Sequence, residues 1–195
     1  MENVTVFSDF IQQYTSLEIP IDVAFNNQIL HVFKPLFLKK NQYLVKEQDV
    51  CRYFCFVESG ILQHNILVND EEITSYLALK QTVTSSLSSF LCEKPSRKSI
   101  KALVDTKLWV VDLINFKELL QNNSTFRHFY YTTIEKQICL IDEYRIDLLT
   151  LTPEERYRKL LQTEPKLLQE VPLHYLASFL GISSRHMSRI RKNIL

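Results

Sequence analysis

Between residues 184 and 192, Arg185, Arg189, Arg191 and Lys192 stand among Ser184, His186 and Ser188. On a helix, a spacing of four places Arg185 and Arg189 on one face, with Ser184 and Ser188 beside them. A guanidinium is a planar fork of donors that suits the bidentate edge of guanine, and hydroxyls suit phosphate oxygens or base edges. Arg191 and Lys192 fall where a phosphate backbone would be met, with His186 nearby. The chemistry is recognition of a polyanion, not bond making. The surrounding charge agrees: Leu173 to Leu195 holds four Lys/Arg and no Asp or Glu, leaving 19 basic and 22 acidic side chains, a net −3, in residues 1–172. One sign concentrated at one end of a chain whose total is +1 points to a polyanionic partner or to a solvated terminal helix.

Residues for catalysis are not arranged for it. His31, His64, His128, His174 and His186 are scattered, with neither HExxH nor paired Cys/His spacing. The chain has no P-loop and no nucleophile elbow. Cys51, Cys55, Cys92 and Cys139 form no CxxC pair and read as small core residues of a reducing compartment. His64 meeting Cys51 or Cys55 across neighbouring strands is the one weak metal combination. The expectation is a protein with no enzymatic activity, no metal and no cofactor. No window approaches the roughly 18 apolar residues of a membrane span. "MENVTVFSDFIQQ" lacks the basic and apolar regions of a secretory signal, so a cytoplasmic protein with no membrane partner is expected.

The basic face needs elements to hold it. Leu173, Leu176, Ala177 and Leu180 fall in an i, i+3, i+4, i+7 pattern, one amphipathic helix. Gly181, one of only two glycines, comes directly after, where a left-handed C′ residue ends a helix most easily. Ser183 is placed as the next N-cap, and Met187, Ile190 and Ile194 give the second helix its apolar side. This is a helix-turn-helix with Leu180, Ile182, Met187 and Ile190 as shared core and Ala177 at the close crossing; an unrelated helical hairpin is the alternative. "TPEE" at 152–155 supplies a Thr152–Glu155 capping box with Pro153 at the first helical position, starting a helix that turns Tyr157, Leu160 and Leu161 inward. Pro165 and Pro172 punctuate the chain between that helix and the last two.

Ahead of this lies one long helix, about Ser124 to Thr150, with no Gly or Pro. Ile134, Ile138, Ile141 and Leu148 recur near heptad spacing, so the face packs either on its own domain or on a second copy. Earlier still, "PIDVAFNNQILHVF" reads as a helix through Phe25, Ile29, Val32 and Phe33. "PLFLKK", "QYLVKE", "CRYFCFVESG", "ILQHNILV", "EEITSYLAL", "KSIKALV" and "KLWVVDL" then read as short strands. They are separated at Asn41, Gln48-Asp49, Gly60, Asn69-Asp70 and Asp105, which is the rhythm of an antiparallel sandwich or barrel. "NFKELLQNN" closes the unit as a short helix. The divisions are 1–122, 123–150 and 151–195.

"VESGILQHNILVNDEEI", "PSRKSIKALVDTKLWVVDLINFKELL" and "LASFLGISSRHMSRIRK" together resemble the Crp/Fnr family of bacterial transcription regulators. The resemblance implies an α+β chain: an N-terminal double-stranded β-helix (a jelly roll like the cyclic nucleotide-binding domain), a dimerisation helix, and a C-terminal winged helix-turn-helix. It implies binding to double-stranded promoter DNA as a homodimer and action on RNA polymerase. Ser184, Arg185, His186, Ser188, Arg189, Arg191 and Lys192 would be the DNA-binding residues. The departures are specific. Ser85-Ser86 stand where the family's Gly-Glu holds the ribose, and Ser96 stands where its Arg holds the phosphate. Arg97 is one step out of register, which in a strand means the opposite face. Control by cyclic AMP is therefore not expected, and the ligand of the β-domain is unknown. No family iron–sulfur or haem pattern is present. The family's frequent Arg-Glu start of the recognition helix is replaced by Ser184-Arg185, with Arg189 kept, so the operator should differ. The alternative is a small-molecule sensor with degenerate DNA binding, using the hydroxyls of "TVTSSLSSF"; such hydroxyls also serve as simple turn formers.

Overall fold

The computed structural model describes residue 7 and residues 9–11, 28–29 and 31–194. Of the helix read over 20–33, Gln28, Ile29, His31 and Val32 are helical, and Ile29 and Phe33 are buried. Phe25 and the rest of that stretch lie outside the described residues.

The strands are β1 (Lys34–Leu38), β2 (Tyr43–Val45), β3 (Phe54–Ser59), β4 (Leu62–Val68), β5 (Glu71–Ala78), β6 (Thr82–Thr84), β7 (Ser99–Ala102) and β8 (Thr106–Val111). They form two antiparallel four-stranded sheets, ordered β1-β8-β3-β6 and β2-β7-β4-β5. The turn residues do the work their types allow. Asn69 and Asp70 both take positive φ between β4 and β5, the two-residue hairpin whose twist matches the strands. Asn41 and Gln48 are also left-handed. Gly60, at φ +101°, is required twice over, because a Cβ there would lie 2.7 Å from the Thr106 Cα.

The helices are α1 (Leu87–Cys92), α2 (Leu113–Asn122), α3 (Ser124–Thr150), α4 (Pro153–Thr163), α5 (Pro165–Glu170), α6 (Leu173–Phe179) and α7 (Ser184–Ile194). The bounds of α3 match the sequence reading, with Asn123 accepting from the Phe126 amide as its cap. Strand β6 and helix α1 were not expected. Neither carries a periodic pattern; tertiary contacts hold them. Thr82–Thr84 pair with β3, and the Ser89 hydroxyl accepts from the Cys51 amide and donates to the Lys94 carbonyl.

Two apolar cores result. The first lies between the sheets and under α2 and the start of α3, and it is rich in phenylalanine. Phe7 stacks on Phe56 at 4.5 Å, and Phe116 meets Phe54, Phe126 and Tyr130 at 5.1–5.7 Å. Burying each such ring contributes roughly 1.5–3 kcal/mol. The second core lies on the other face of the β2-β7-β4-β5 sheet. Ile61, Leu77, Leu79 and Leu103 pack there with Tyr157, Leu160, Leu176, Met187 and Ile190 of the C-terminal helices. The helical unit is therefore built onto the sheet. Among the described residues, no strand lies C-terminal to α3. The expected wing is thus not part of what the structure describes.

Candidate nucleic-acid interface

The turn between α6 and α7 is set by a few local bonds. Gly181 sits at φ +69°, with nothing within 4 Å of where a Cβ would be, so backbone conformation alone selects glycine. The Gly181 amide donates to the Ser178 carbonyl at 3.1 Å and the Ile182 amide to the Ala177 carbonyl at 3.0 Å, the paired bonds of a Schellman cap. Ser183 then accepts from the His186 amide at 3.2 Å and starts α7. Leu176, Ala177, Leu180, Met187 and Ile190 are buried, and Leu173 and Ile182 are partly so.

With Met187 and Ile190 inward, the opposite side of α7 is fixed by helical geometry. Ser184, Arg185, Ser188, Arg189, Arg191 and Lys192 are all exposed. Among the described residues, no carboxylate forms an ion pair with Arg185, Arg189, Arg191 or Lys192. Four cations on one exposed helix, with the free amides of its first turn, make a surface for an anionic chain. Ser188 donates to the Ser184 carbonyl at 2.9 Å, leaving its oxygen as an acceptor. His186 is turned away from this group: its Nε2 lies 3.2 Å from Glu154 Oε1 at the start of α4. The Glu154 carboxyl is held below its ordinary pKa by its own backbone amide and then by His186.

Sequence reasoning missed the residues that aim this surface. Arg156 donates to the Leu151 carbonyl at 2.9 Å and to the Leu180 carbonyl at 3.0 Å, tying the α3–α4 junction to the end of α6. The Ser178 hydroxyl accepts from the Thr74 amide on edge strand β5 at 2.8 Å and contacts the Glu72 carbonyl at 3.4 Å. Tyr144 of α3 packs edge-on against Phe179 of α6, with ring centroids 5.6 Å apart. Burial, aided by nearby carboxylates, pushes its phenol up to about 12. Lys159 pairs with Asp147 at 2.7 Å across the α3–α4 bend. Nothing in sequence spacing marks these long-range pairs.

The long helix divides in two. Phe126, Phe129, Tyr130 and Thr133 are buried on the β-domain, and Ile134 packs beside them. Beyond them, Ile138, Ile141 and Leu148 are 61%, 64% and 58% exposed, and Leu140, Ile146 and Leu149 are exposed too.

Within the sandwich, Ser86 and Ser96 are buried and share a hydrogen bond of 2.8 Å, while Arg97 is exposed. Of the other hydroxyls of the 82–90 segment, Ser88 is exposed and four are used internally. Thr82 bonds the Leu79 carbonyl, Thr84 bonds His64, Ser85 bonds the Tyr53 carbonyl, and Ser89 bonds the Lys94 carbonyl. His64 and the cysteines do not converge: Cys51 Sγ contacts Ser85 Oγ and the Tyr53 carbonyl. Among the described residues, no group of three metal-ligating side chains is present.

Residues 35–123 match the family model described as the cyclic nucleotide-binding domain. Residues 35–123 are similar to that domain, and the fold is that of solved Crp/Fnr-type structures. Most of the architecture recurs in solved structures. The catabolite activator protein of Thermus thermophilus is 19% identical with a TM-score of 0.57, over 89% of this chain and 84% of that one. FixK2 from Bradyrhizobium japonicum is 17% identical with a TM-score of 0.68, over 84% of each. A Crp/Fnr-family regulator from Eubacterium rectale is 17% identical with a TM-score of 0.66, over 95% of this chain and 87% of that one. No curated protein sequence matches the chain. Among the described residues, no helix is long and apolar enough to cross a membrane.

Proposed function

We propose that this Crp/Fnr-like chain is a cytoplasmic transcription regulator that binds double-stranded promoter DNA as a homodimer and acts on RNA polymerase, without enzymatic activity. Its divisions are an effector domain over 1–122, a dimerisation helix over 123–150 and a DNA-binding unit over 151–195. The observation that carries the reading is α7: Arg185, Arg189 and Lys192 stand opposite the buried Met187 and Ile190, Arg191 is exposed on the flank, and among the described residues none of the four is paired with a carboxylate. In a helix-turn-helix the N-terminal half of the second helix enters the major groove. Arg185 and Arg189 read base edges there, Ser184 and Ser188 contact bases or phosphates, and Arg191 and Lys192 hold the backbone. His186 contributes at the rim, beside Glu154. The exposed half of α3 supplies the seam for a second copy, which gives a two-fold operator with half-sites about 34 Å apart or a multiple of it. Cyclic AMP is not the controlling ligand, because the Ser86–Ser96 bond offers no charge to a phosphate.

Genome-wide mapping of bound DNA, followed by anisotropy on the recovered sites, tests the reading. A two-fold consensus is expected, with log K falling at about −0.9 per phosphate neutralised as log salt rises. Absence of binding at low salt overturns it.

A further inference from the structure

The two apolar cores meet at a cleft that neither fills. Its volume is about 370 Å³, at the small end of the range for ligand sites, about 300–1,000 Å³. One wall is the turn between β5 and β6, and the other is the junction of α4 and α5, with Glu164 and Lys166. Leu79, from the second core, and Phe10, which packs on Phe56 and Phe129 of the first, supply apolar lining. Neither Ser86 nor Ser96 lines this cleft, and Leu79 faces the C-terminal helices, outside the sandwich.

The walls are already in place. Gln81 holds φ +60°, its amide donates to the Val57 carbonyl at 2.8 Å, and the Thr82 hydroxyl donates to the Leu79 carbonyl at 2.6 Å. Lys80 pairs with Glu170 at the end of α5 at 3.2 Å, which joins one wall to the other and spends the Lys80 charge. Two charges of opposite sign remain. Glu164 is half-buried and Lys166 is exposed, and among the described residues neither forms an ion pair. The cleft thus presents a separate plus and minus beside apolar side chains. A simple anion or cation gains at one charge and is repelled by the other, whereas a zwitterion gains at both. We propose that the cleft binds a free α-amino acid with an apolar side chain. Its carboxylate meets Lys166 Nζ, its ammonium meets the Glu164 carboxylate, and its side chain covers Phe10 and Leu79. The bound molecule bridges the β-domain and the helical unit, so it stabilises their packing. The proposal goes beyond DNA binding and stands or falls separately from it.

The test is calorimetric titration of the full chain with leucine and with phenylalanine, alongside the thermal midpoint. Glycine, 4-methylpentanoate and 3-methylbutylamine are the controls, lacking in turn the side chain, the ammonium and the carboxylate. Saturable binding of leucine or phenylalanine is expected, with a rise in midpoint. Each control should bind about tenfold or more weakly. Lys166→Gln and Glu164→Gln should each weaken binding by about tenfold or more. Lys166→Arg, which keeps the charge and guards against a folding defect, should retain it. No saturable binding of either amino acid up to about 10 mM overturns the site. So does binding of 4-methylpentanoate or 3-methylbutylamine as tight as that of leucine, or leucine binding unchanged in both Gln variants.

Discussion

Ser86 Oγ and Ser96 Oγ lie 2.8 Å apart in the interior of the β-domain, at the two positions where the family resemblance implies Glu and Arg. Ser96 also donates to the Lys98 carbonyl at 2.6 Å, so its proton is spent and Ser86 is the donor to it. A neutral pair, closed on itself, replaces an acid and a base that would reach outward. Adding cyclic AMP should therefore leave the thermal midpoint unchanged, whereas saturation to 100 Kd would add about 2.7 kcal/mol. Ser86→Ala should cost about 0.5–1.5 kcal/mol in denaturant unfolding, the value of one buried hydrogen bond. A nucleotide-dependent rise in midpoint would show that the pair opens.

The two glycines should respond differently to alanine. At Gly181 only the positive φ resists, because the space around it is empty. Gly181→Ala should cost about 1–2 kcal/mol. At Gly60 the same strain is joined by collision with the Thr106 backbone, and Gly60→Ala should cost about 2–5 kcal/mol. Equal costs in urea titrations would mean that the close approach at Thr106 relaxes freely.

His64 should make stability depend on pH. Burial, and secondarily the Lys98 charge, hold its pKa well below the ordinary 6.5. Below about pH 6.5 the unfolded chain takes up a proton that the native imidazole refuses. Stability from this group is thus full above that pH and falls as pH drops toward the lowered native pKa, by up to about 1.4 kcal/mol per unit. Urea unfolding between about pH 7 and 5 should show the slope, and His64→Gln should flatten it. A variant with the wild-type slope would assign the effect to other groups.

Ile138 and Ile141 stand bare on the half of α3 that its own domain does not cover. Paired Ile138→Glu and Ile141→Glu substitutions should convert a dimer to a monomer in sedimentation velocity. Helical circular dichroism should be unchanged, since exposed positions change protomer stability by only about 0.5 kcal/mol. A double variant that still sediments as a dimer would remove this seam from the assembly.

Among the basic residues, Arg189→Ala should relax base preference, a loss of about 1–3 kcal/mol of discrimination. Arg191→Ala should instead weaken binding to all sequences alike and reduce the salt slope by about one. Binding-site selection with both variants separates the two roles; identical profiles would contradict them.

What the residues fixed unaided is everything whose cause is local. Gly181 ends α6 because only glycine rests easily in a left-handed turn there, and Thr152 with Glu155 closes its capping box within four residues. Asn69-Asp70 make the hairpin, and a stretch without Gly or Pro carries α3 from Ser124 to Thr150. Tertiary structure decided the rest, because it joins groups that no spacing relates. The Ser86–Ser96 closure, the Arg156 tie to Leu180, the turning of His186 onto Glu154, and the packing of Leu77 and Leu79 beneath Leu176 are each pairings across ten to a hundred residues of chain. Such pairs are chosen by which surfaces remain unburied once the local elements have formed. That choice is a property of the assembled sheets and helices and not of any one stretch of sequence.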